Sequence, residues 1–247
     1  MTKIENYRRR LSDLDEWEPF LLAESGLPGP RGNIELGQAV ADVGDRDRFD
    51  RLLAWTPERA PVGAREEFLA FCGTVGLGRL VADGHTELFA ELRALASDPR
   101  WRVREAVAMA LQRVGAVDMR VLLREMRSWA RGNDFERRAA AAGLCEPALL
   151  GRERDVLDVL AILDRITAAM SRSSERRTEG FVALRKGLGY CWSVAVAAAP
   201  HAGRTLMERW MRVDDPDVGW VMRQNLSKKR MAAAGTAWVA RWQAELG

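Results

Sequence analysis

Apolar residues along this chain recur at positions i, i+3, i+4 and i+7, which is the spacing of one face of an α-helix. Alternation of apolar and polar residues with a period of two, the mark of a half-buried strand, is nearly absent. The pattern predicts an all-α chain of about a dozen helices of ordinary length, joined by short turns. The clearest stripes are Phe68, Phe71, Cys72 and Val75; Met119, Leu122, Leu123, Met126 and Ala130; and Val156, Val159, Leu160 and Leu163.

Proline positions support the same prediction. The chain has nine prolines, and none falls within residues 62–98, 100–146 or 148–199. Proline is excluded from helix interiors and tolerated at helix starts and in loops. The three long stretches without proline therefore indicate helices separated by short turns.

A helix-start signal recurs along the chain. Asp98 and Asp215 are each followed by proline, a pair that caps a helix and presets its first turn, and Asn133 can cap in the same way. Asp98 and Asn133 are 35 residues apart, and Asn133 and Asp215 are 82 apart, or two units of about 41. Repeats of this length with two helices each are typical of an α-solenoid.

The segment that begins at Asp98 resembles a HEAT repeat through Pro99, Val103, Arg104, Glu105 and Ala106. The resemblance is recognisable over residues 64–231 and implies a right-handed α-solenoid of about six helical pairs. Residues 1–60 are less regular, with a turn-rich connection at 27–33 and a helix that Asn33 caps and Gly44 ends. We predict a single domain over 1–247 in which 1–60 form an atypical helical cap, and a mobile polar loop at 171–177.

Composition narrows the class of protein. Hydrophobic residues make up 47% and charged residues 30%, as in folded proteins. No apolar run reaches the roughly 20 residues that span a bilayer, and the first residues lack the apolar core of a signal peptide. We therefore expect a cytoplasmic protein with no membrane contact.

Cysteine and histidine use argues against metal chemistry. The three cysteines, at 72, 145 and 191, are widely spaced among apolar or small residues, which predicts buried thiols. With only two histidines, a metal site is not expected, and no sequence motif for a phosphate loop, a dinucleotide or a catalytic serine is present. We predict no metal and no small-molecule cofactor.

Charge is unevenly distributed. The formal net charge is +3, and because only four of the 38 basic residues are lysines, 34 are arginines. Residues 98–138 contain ten arginines and six acids, whereas residues 1–60 contain nine basic and twelve acidic residues. The basic stretch could follow a phosphate backbone. A solvated helix face with i, i+4 ion pairs explains the same residues.

Two helices carry candidate binding residues. Over 99–114, Val103, Val107, Ala110, Leu111 and Val114 form the predicted core stripe, and Trp101 and Glu105 fall on the opposite side. Trp101 either packs against a neighbouring repeat or faces a ligand beside Glu105. Over 183–196 the chain is apolar nearly all round, which predicts burial, with Lys186 and Tyr190 at its polar end. The basic residues 228–230 complement a helix dipole.

A second resemblance, to the HEAT-like alkylpurine DNA glycosylases of DNA alkylation repair, concerns three short segments. Glu105 lies four residues after Trp101, at the position of that family's catalytic carboxylate. The other two segments match through Asn133, Phe135, Arg138, Ala139 and Ala140, and through Lys186, Gly189 and Tyr190.

The resemblance implies that Glu105 stabilises a cationic sugar as a damaged base leaves, that aromatic residues contact that sugar, and that an arginine contacts phosphate. The chain departs from the family at three positions. It has Glu105 in place of aspartate, Tyr190 in place of tryptophan and Ser193 in place of arginine.

Two functions follow from these patterns. The first is a monomeric, non-enzymatic scaffold that presents a concave helical surface to a protein partner. The alternative is a DNA-binding protein related to the glycosylases, with Glu105 as its catalytic residue. The candidate contacts of this surface are Arg100, Trp101, Arg104, Arg137, Arg138, Lys186 and Tyr190.

Overall fold

A computed structural model describes residues 2–247, and within that range it contains fourteen α-helices and no strand. The predicted all-α class is confirmed. None of the described helices combines the length and apolarity needed to cross a membrane. Three short 3-10 helices lie at Thr86–Leu88, Pro147–Leu149 and Lys229–Ala234. The α-helices are α1 (Lys3–Ser12), α2 (Glu18–Glu24), α3 (Ile34–Val43), α4 (Arg46–Leu53), α5 (Glu67–Ala82), α6 (Phe89–Leu95), α7 (Trp101–Val117), α8 (Met119–Trp129), α9 (Asp134–Leu144), α10 (Glu153–Ser171), α11 (Glu179–Ala198), α12 (Pro200–Met211), α13 (Pro216–Leu226) and α14 (Thr236–Leu246).

The helices form two compact units, one ending at Val117 and the other beginning at Asp118. In the first unit, α1, α3, α5 and α7 pack side by side, and α4 and α6 pack against α5 from a second layer. In the second unit, α9, α11 and α13 pack side by side, and α8, α10 and α12 form the other layer. Alternation of successive helices between two layers is the arrangement expected of helical-pair repeats. The single domain and the right-handed superhelix stay predictions.

The most completely buried helix is α5, which lies among α3, α4 and α7. Its predicted stripe is buried, but so is almost every other residue from Glu67 to Val81. The prediction that the helix over 183–196 is buried holds for part of its length, and Lys186 and Tyr190 lie at the predicted polar end. In α11 the run from Cys191 to Val196 is buried, whereas Lys186 and Tyr190 are exposed. Unlike α5, α11 therefore has one face that is partly exposed.

Glycines let α5 approach its neighbours closely. An ideal Cβ on Gly78 would lie 2.4 Å from the Cα of Ala110 in α7, and one on Gly76 would lie 2.4 Å from the ring of Phe49 in α4. Contacts this short do not occur between real side chains. The α5–α7 packing therefore requires glycine at position 78.

Three of the predicted helix caps are confirmed. The side chains of Asn33, Asn133 and Asp215 each accept a hydrogen bond from a backbone N–H in the first turn of α3, α9 and α13. Gly44 ends α3, also as predicted. Asp98 differs, because α7 begins only at Trp101.

The Asp98 carboxylate is used by Arg100 instead of capping a helix. It accepts a hydrogen bond from the backbone N–H of Arg100 at 2.8 Å, and it also binds the Arg100 guanidinium. The prediction that Pro99 is the first helical residue is therefore wrong. The two residues form the turn before α7.

The loop predicted to be mobile is anchored in the structure by Arg176. Its guanidinium forms ion pairs with Asp215 at 2.6 Å and with Asp217 at 2.9 Å, and it donates to the carbonyl of Ser171 at 2.8 Å. The Arg176 hydrogen bond is the main reason why the pKa of Asp215 is lowered. This anchoring could not be predicted from the polar loop sequence, because the partners of Arg176 lie 39 and 41 residues away.

The three cysteines are free and buried, as predicted. Burial raises the pKa of the Cys72 and Cys145 thiols well above the usual value, and Cys145 also has a hydrogen bond with Cys191. Thiols in this state are poor nucleophiles and poor metal ligands, because the thiolate is the reactive form.

Replacing Gly78 with alanine should destabilise the first unit. The new methyl group meets backbone atoms of α7, which cannot rotate away, so we expect a loss of about 1–3 kcal/mol in the free energy of unfolding. The alanine's better helix propensity offsets only part of this cost. Thermal and urea unfolding would measure it. Gly32→Ala is the control, because a Cβ there makes only ordinary contacts, the nearest at 3.5 Å. Equal stability of the two variants would contradict the packing described.

Asp215 should contribute stability that is lost in acid. Its folded pKa lies below that of the unfolded chain, about 3.9, so the contribution is complete above that pH and disappears as the pH falls through the folded pKa. Asp215→Asn should therefore melt at a lower temperature at pH 7 and lose less further stability below about pH 4 than the parent. Melting temperature followed from pH 7 to 2 tests this, and parallel curves for the two proteins would refute it.

Candidate functional site

The predicted site residues fall into two groups, one in each unit. Arg100, Trp101, Arg104 and Glu105 lie at the start of α7 in the first unit. The second group, in α9 and α11 of the second unit, comprises Arg137, Arg138, Lys186 and Tyr190.

Trp101 is the first residue of α7, and 44% of it is exposed. The Arg102 guanidinium lies 4.4 Å from the centre of its ring. Arg102 in turn donates to the carbonyl of Gly29 at 2.8 Å and forms an ion pair with the fully buried Glu67 at 3.3 Å. The indole is therefore held by an anchored arginine, and its exposed surface remains accessible. Glu105, one turn later, is also exposed.

The structure overturns the expectation for Arg100 and Arg104, which are only 2% and 7% exposed. The Arg100 Nε and Nη2 atoms bind the carboxylate of Asp98 at 2.9 and 2.7 Å, and Nη1 donates to the carbonyl of Trp55 at 2.6 Å. Arg104 Nη1 donates to the carbonyls of Asp98 and Pro99 at 2.7 and 3.0 Å. These arginines stabilise the turn before α7 and cannot serve as phosphate contacts on the surface.

In the second unit, α9 and α11 pack together so that Arg138 lies against Gly187, where an ideal Cβ would be 3.3 Å from the arginine Cγ. Lys186 is the neighbour of this glycine, and Tyr190 lies one turn further along α11. Both side chains are exposed, with 42% of Tyr190 accessible. Arg138 thus lies close to the turn of α11 that bears Lys186 and Tyr190.

Two other arginines of α9 and α11 have carboxylate partners. Arg137 forms an ion pair with Asp134 at 2.8 Å. Arg185 forms one with Asp217 at 2.6 Å, and its guanidinium lies 4.7 Å from the centre of the Trp220 ring. Both guanidinium groups are therefore engaged within the unit, which makes Arg137 a poor candidate for contact with a partner.

Arg230 completes the group and was not among the predicted site residues. Its Nη2 donates to the Tyr190 hydroxyl at 2.6 Å, and its guanidinium lies 4.5 Å from the centre of that ring. Lys228 and Lys229 precede it in the turn after α13. Within residues 2–247, Lys186, Lys228 and Lys229 form no ion pair. The basic residues 228–230 follow the C-terminal end of α13, and they also place the cation of Arg230 against Tyr190.

A groove of about 810 Å³ lies along the last turns of α11, beyond Tyr190. Val194 lies one turn beyond Tyr190 and, with the alanines after it, forms the floor. The residues after α9 form one side, and the turn after α13 forms the other. No carboxylate lines it. We call this the α11 groove, and its lining residues are Pro147, Leu150, Val194, Ala197, Ala198, Ser227, Lys228, Lys229 and Arg230.

The chemistry available here is binding by charge and apolar contact. No group of three or more histidine, cysteine or acidic side chains that could hold a metal is found in residues 2–247. Part of this surface is predictable from the sequence. Lys186, Tyr190, Val194 and Ala197 follow the spacing i, i+4, i+8 and i+11, which places them on one face of α11. The contribution of 228–230 could not be read from that spacing.

Comparison with protein families matches residues 75–145 to HEAT repeats. The matched segment runs from the middle of α5 to the end of α9. Neither the comparison with curated proteins nor that with solved structures found a match.

Arg100→Ala should reduce stability. Removing one partner of a buried ion pair leaves Asp98 and two backbone carbonyls without their donor, so we expect a loss of about 3–5 kcal/mol in the free energy of unfolding. Urea unfolding would measure the loss. Arg31→Ala, at an exposed arginine of the same unit, serves as the control. Unchanged stability in Arg100→Ala would argue against a structural role.

Proposed function

Because residues 75–145 of this all-α chain match HEAT repeats, we propose that it is a non-enzymatic binding module that presents a helical surface to a protein partner. Arrays of helical pairs offer extended surfaces suited to this task. The single observation that carries the proposal is the exposed ring of Tyr190, which Arg230 contacts, with Lys186 one turn before it on α11 and Arg138 against the intervening Gly187. We call these four residues the basic–aromatic face.

The charges of the basic–aromatic face select an acidic segment of the partner. Lys186 has no ion pair within residues 2–247, and Arg230 donates to a hydroxyl and not to a carboxylate. Each new pair with a partner carboxylate is worth only about 0–1 kcal/mol at an exposed site. Several such pairs together steer the encounter and determine which partner binds.

Tyr190 supplies the apolar contact of this face. Tyrosine is enriched among the residues that dominate binding energy at interfaces, because it buries a large ring at a small cost in side-chain entropy. The hydrogen bond from Arg230 restrains this ring before the partner arrives. A restrained ring loses less conformational freedom on binding, which favours affinity.

DNA binding by a relative of the alkylpurine DNA glycosylases is the second candidate. It is favoured by the same cations, which could contact phosphates, and by Tyr190, on which an unpaired base could stack. Glu105 and Trp101 are exposed. In this second function, Glu105 would be the catalytic carboxylate and Trp101 one of the aromatic contacts. The burial of Arg100 and Arg104 removes two of the arginines that were candidates for contact with DNA phosphates.

The test is fluorescence anisotropy with two labelled probes, an acidic peptide of about a dozen residues and a DNA duplex that bears an abasic-site analogue. We expect the peptide to bind, and Lys186→Glu/Tyr190→Ala to weaken this binding at least about tenfold, a change of about 1.4 kcal/mol. Reversing a charge adds repulsion to the loss of the ring contact.

Arg165→Glu is the matched control, since this exposed arginine lies on α10 in the other layer of the same unit. It should leave peptide binding unchanged. If the duplex instead binds more tightly than the peptide, and added salt weakens that binding steeply, the DNA-binding function is favoured. Base release by the parent and by Glu105→Gln would then be measured. Binding of neither probe would overturn both functions.

A further inference from the structure

The α11 groove differs from the basic–aromatic face in having a well-defined apolar floor. Val194, Ala197 and Ala198 of α11 form that floor, with Leu150 and Pro147 beside them. Apart from the basic wall, the lining contains only aliphatic side chains and proline. The small alanines at 197 and 198 leave the space that a partner side chain could fill.

The other wall of the groove is strongly cationic. Ser227, Lys228, Lys229 and Arg230 follow one another along it, and no acidic residue contributes to the lining. Lys228 and Lys229 have no ion pair within residues 2–247, so their charges are not neutralised by the chain's described residues. An occupant that pairs an apolar group with negative charge matches both walls.

We propose that the α11 groove binds a short partner segment in which an aliphatic side chain is flanked by acidic residues. This inference rests on the proposed function, because it extends the same binding surface along α11. The aliphatic side chain lies on Ala197 and Ala198, beside the buried Val194, and the neighbouring carboxylates pair with Lys228 and Lys229. A volume of about 810 Å³ is within the roughly 300–1,000 Å³ of pockets that enclose small ligands, which suits a few residues.

The aliphatic floor favours a peptide over nucleic acid. Single-stranded bases bind by stacking on aromatic rings or guanidinium planes. The floor of the groove has neither, and Arg230, which has the only guanidinium in the lining, is already placed over the ring of Tyr190. An isolated aliphatic pocket instead recognises an aliphatic side chain by excluding water from it.

The experiment compares three labelled peptides of about ten residues by fluorescence anisotropy. The first is rich in glutamate and aspartate with a central leucine, the second has alanine at the centre, and the third keeps leucine but replaces the acids with glutamine. We expect the leucine peptide to bind about tenfold or more tightly than the alanine peptide, the ratio that burial of a leucine side chain supplies. The uncharged peptide should bind more weakly than both.

Three variants assign the binding to the groove. Ala197→Leu fills the floor, so it should bring the affinities for the leucine and alanine peptides together, while Ala161→Leu on the exposed side of α10 should not.

Lys228→Glu/Lys229→Glu should weaken the binding of both acidic peptides at least about tenfold. Arg124→Glu/Arg165→Glu changes the net charge equally at exposed sites of the other layer and is its control. Circular dichroism checks that each variant is folded, and Ala198→Leu repeats the test at an exposed position.

The outcomes separate this inference from the proposed function. Equal affinity for the leucine and alanine peptides in the parent protein would overturn the groove inference and leave the acidic-segment function intact. Preference for leucine that Ala197→Leu and Ala198→Leu do not alter would also overturn it, because the side chain would then bind elsewhere. Binding of neither acidic peptide would overturn both.

Discussion

The proposed binding surface of the second unit depends on one buried side chain, Asn225 of α13. Its Oδ1 accepts a hydrogen bond from the backbone N–H of Ser193 at 2.7 Å, and its Nδ2 donates to the carbonyls of Leu188 and Val221 at 2.8 Å each. A side chain that inserts in this way bonds with backbone groups of α11 on both sides of Tyr190. Each buried polar group left unpaired would cost about 1–3 kcal/mol. These hydrogen bonds therefore fix the position of α13 along the axis of α11. The turn after α13 then places Arg230 against Tyr190, and the cationic wall of the groove follows from it.

Glycines let the neighbouring helices approach α11 on its two sides. On one side Gly187 leaves room for Arg138 of α9, and on the other Gly189 faces Trp220 of α13, where an ideal Cβ would lie 3.0 Å from the indole. Each glycine inside a helix costs about 1 kcal/mol relative to alanine. Close packing on both sides offsets that cost, and it leaves Lys186 and Tyr190 exposed between the neighbouring helices. The exposed stripe of α11 is therefore a consequence of the packing that makes α11 central.

Local features of the fold were readable from the sequence, and long-range pairings were not. The apolar stripes and the caps at Asn33, Asn133 and Asp215 depend on residues a few positions apart, so their spacing was sufficient. The role of Arg100 depends on carbonyls 40 and 45 residues away, and no local pattern distinguishes a buried arginine from a surface one. The same limitation hid the anchoring of Arg176. Proximity of Lys186 and Tyr190 could be inferred from helical spacing, whereas the approach of Arg230 could not, since it comes from a different element 40 residues on.

Arginine and lysine have different roles in this chain, and the difference gives a physical reason to place partner binding on α11. Arginine has a rigid, forked guanidinium that pairs well with carboxylates and carbonyls, and here Arg100, Arg102 and Arg176 use it to join distant segments within each unit. Lysine offers a strongly hydrated point charge that is less suited to such fixed pairing. Of the four lysines in the chain, Lys186, Lys228 and Lys229 lie around the exposed stripe of α11, and within residues 2–247 none of the three forms an ion pair. Three lysines that form no ion pair within the described residues thus lie on one surface, where a partner's carboxylates can meet them without breaking an internal contact.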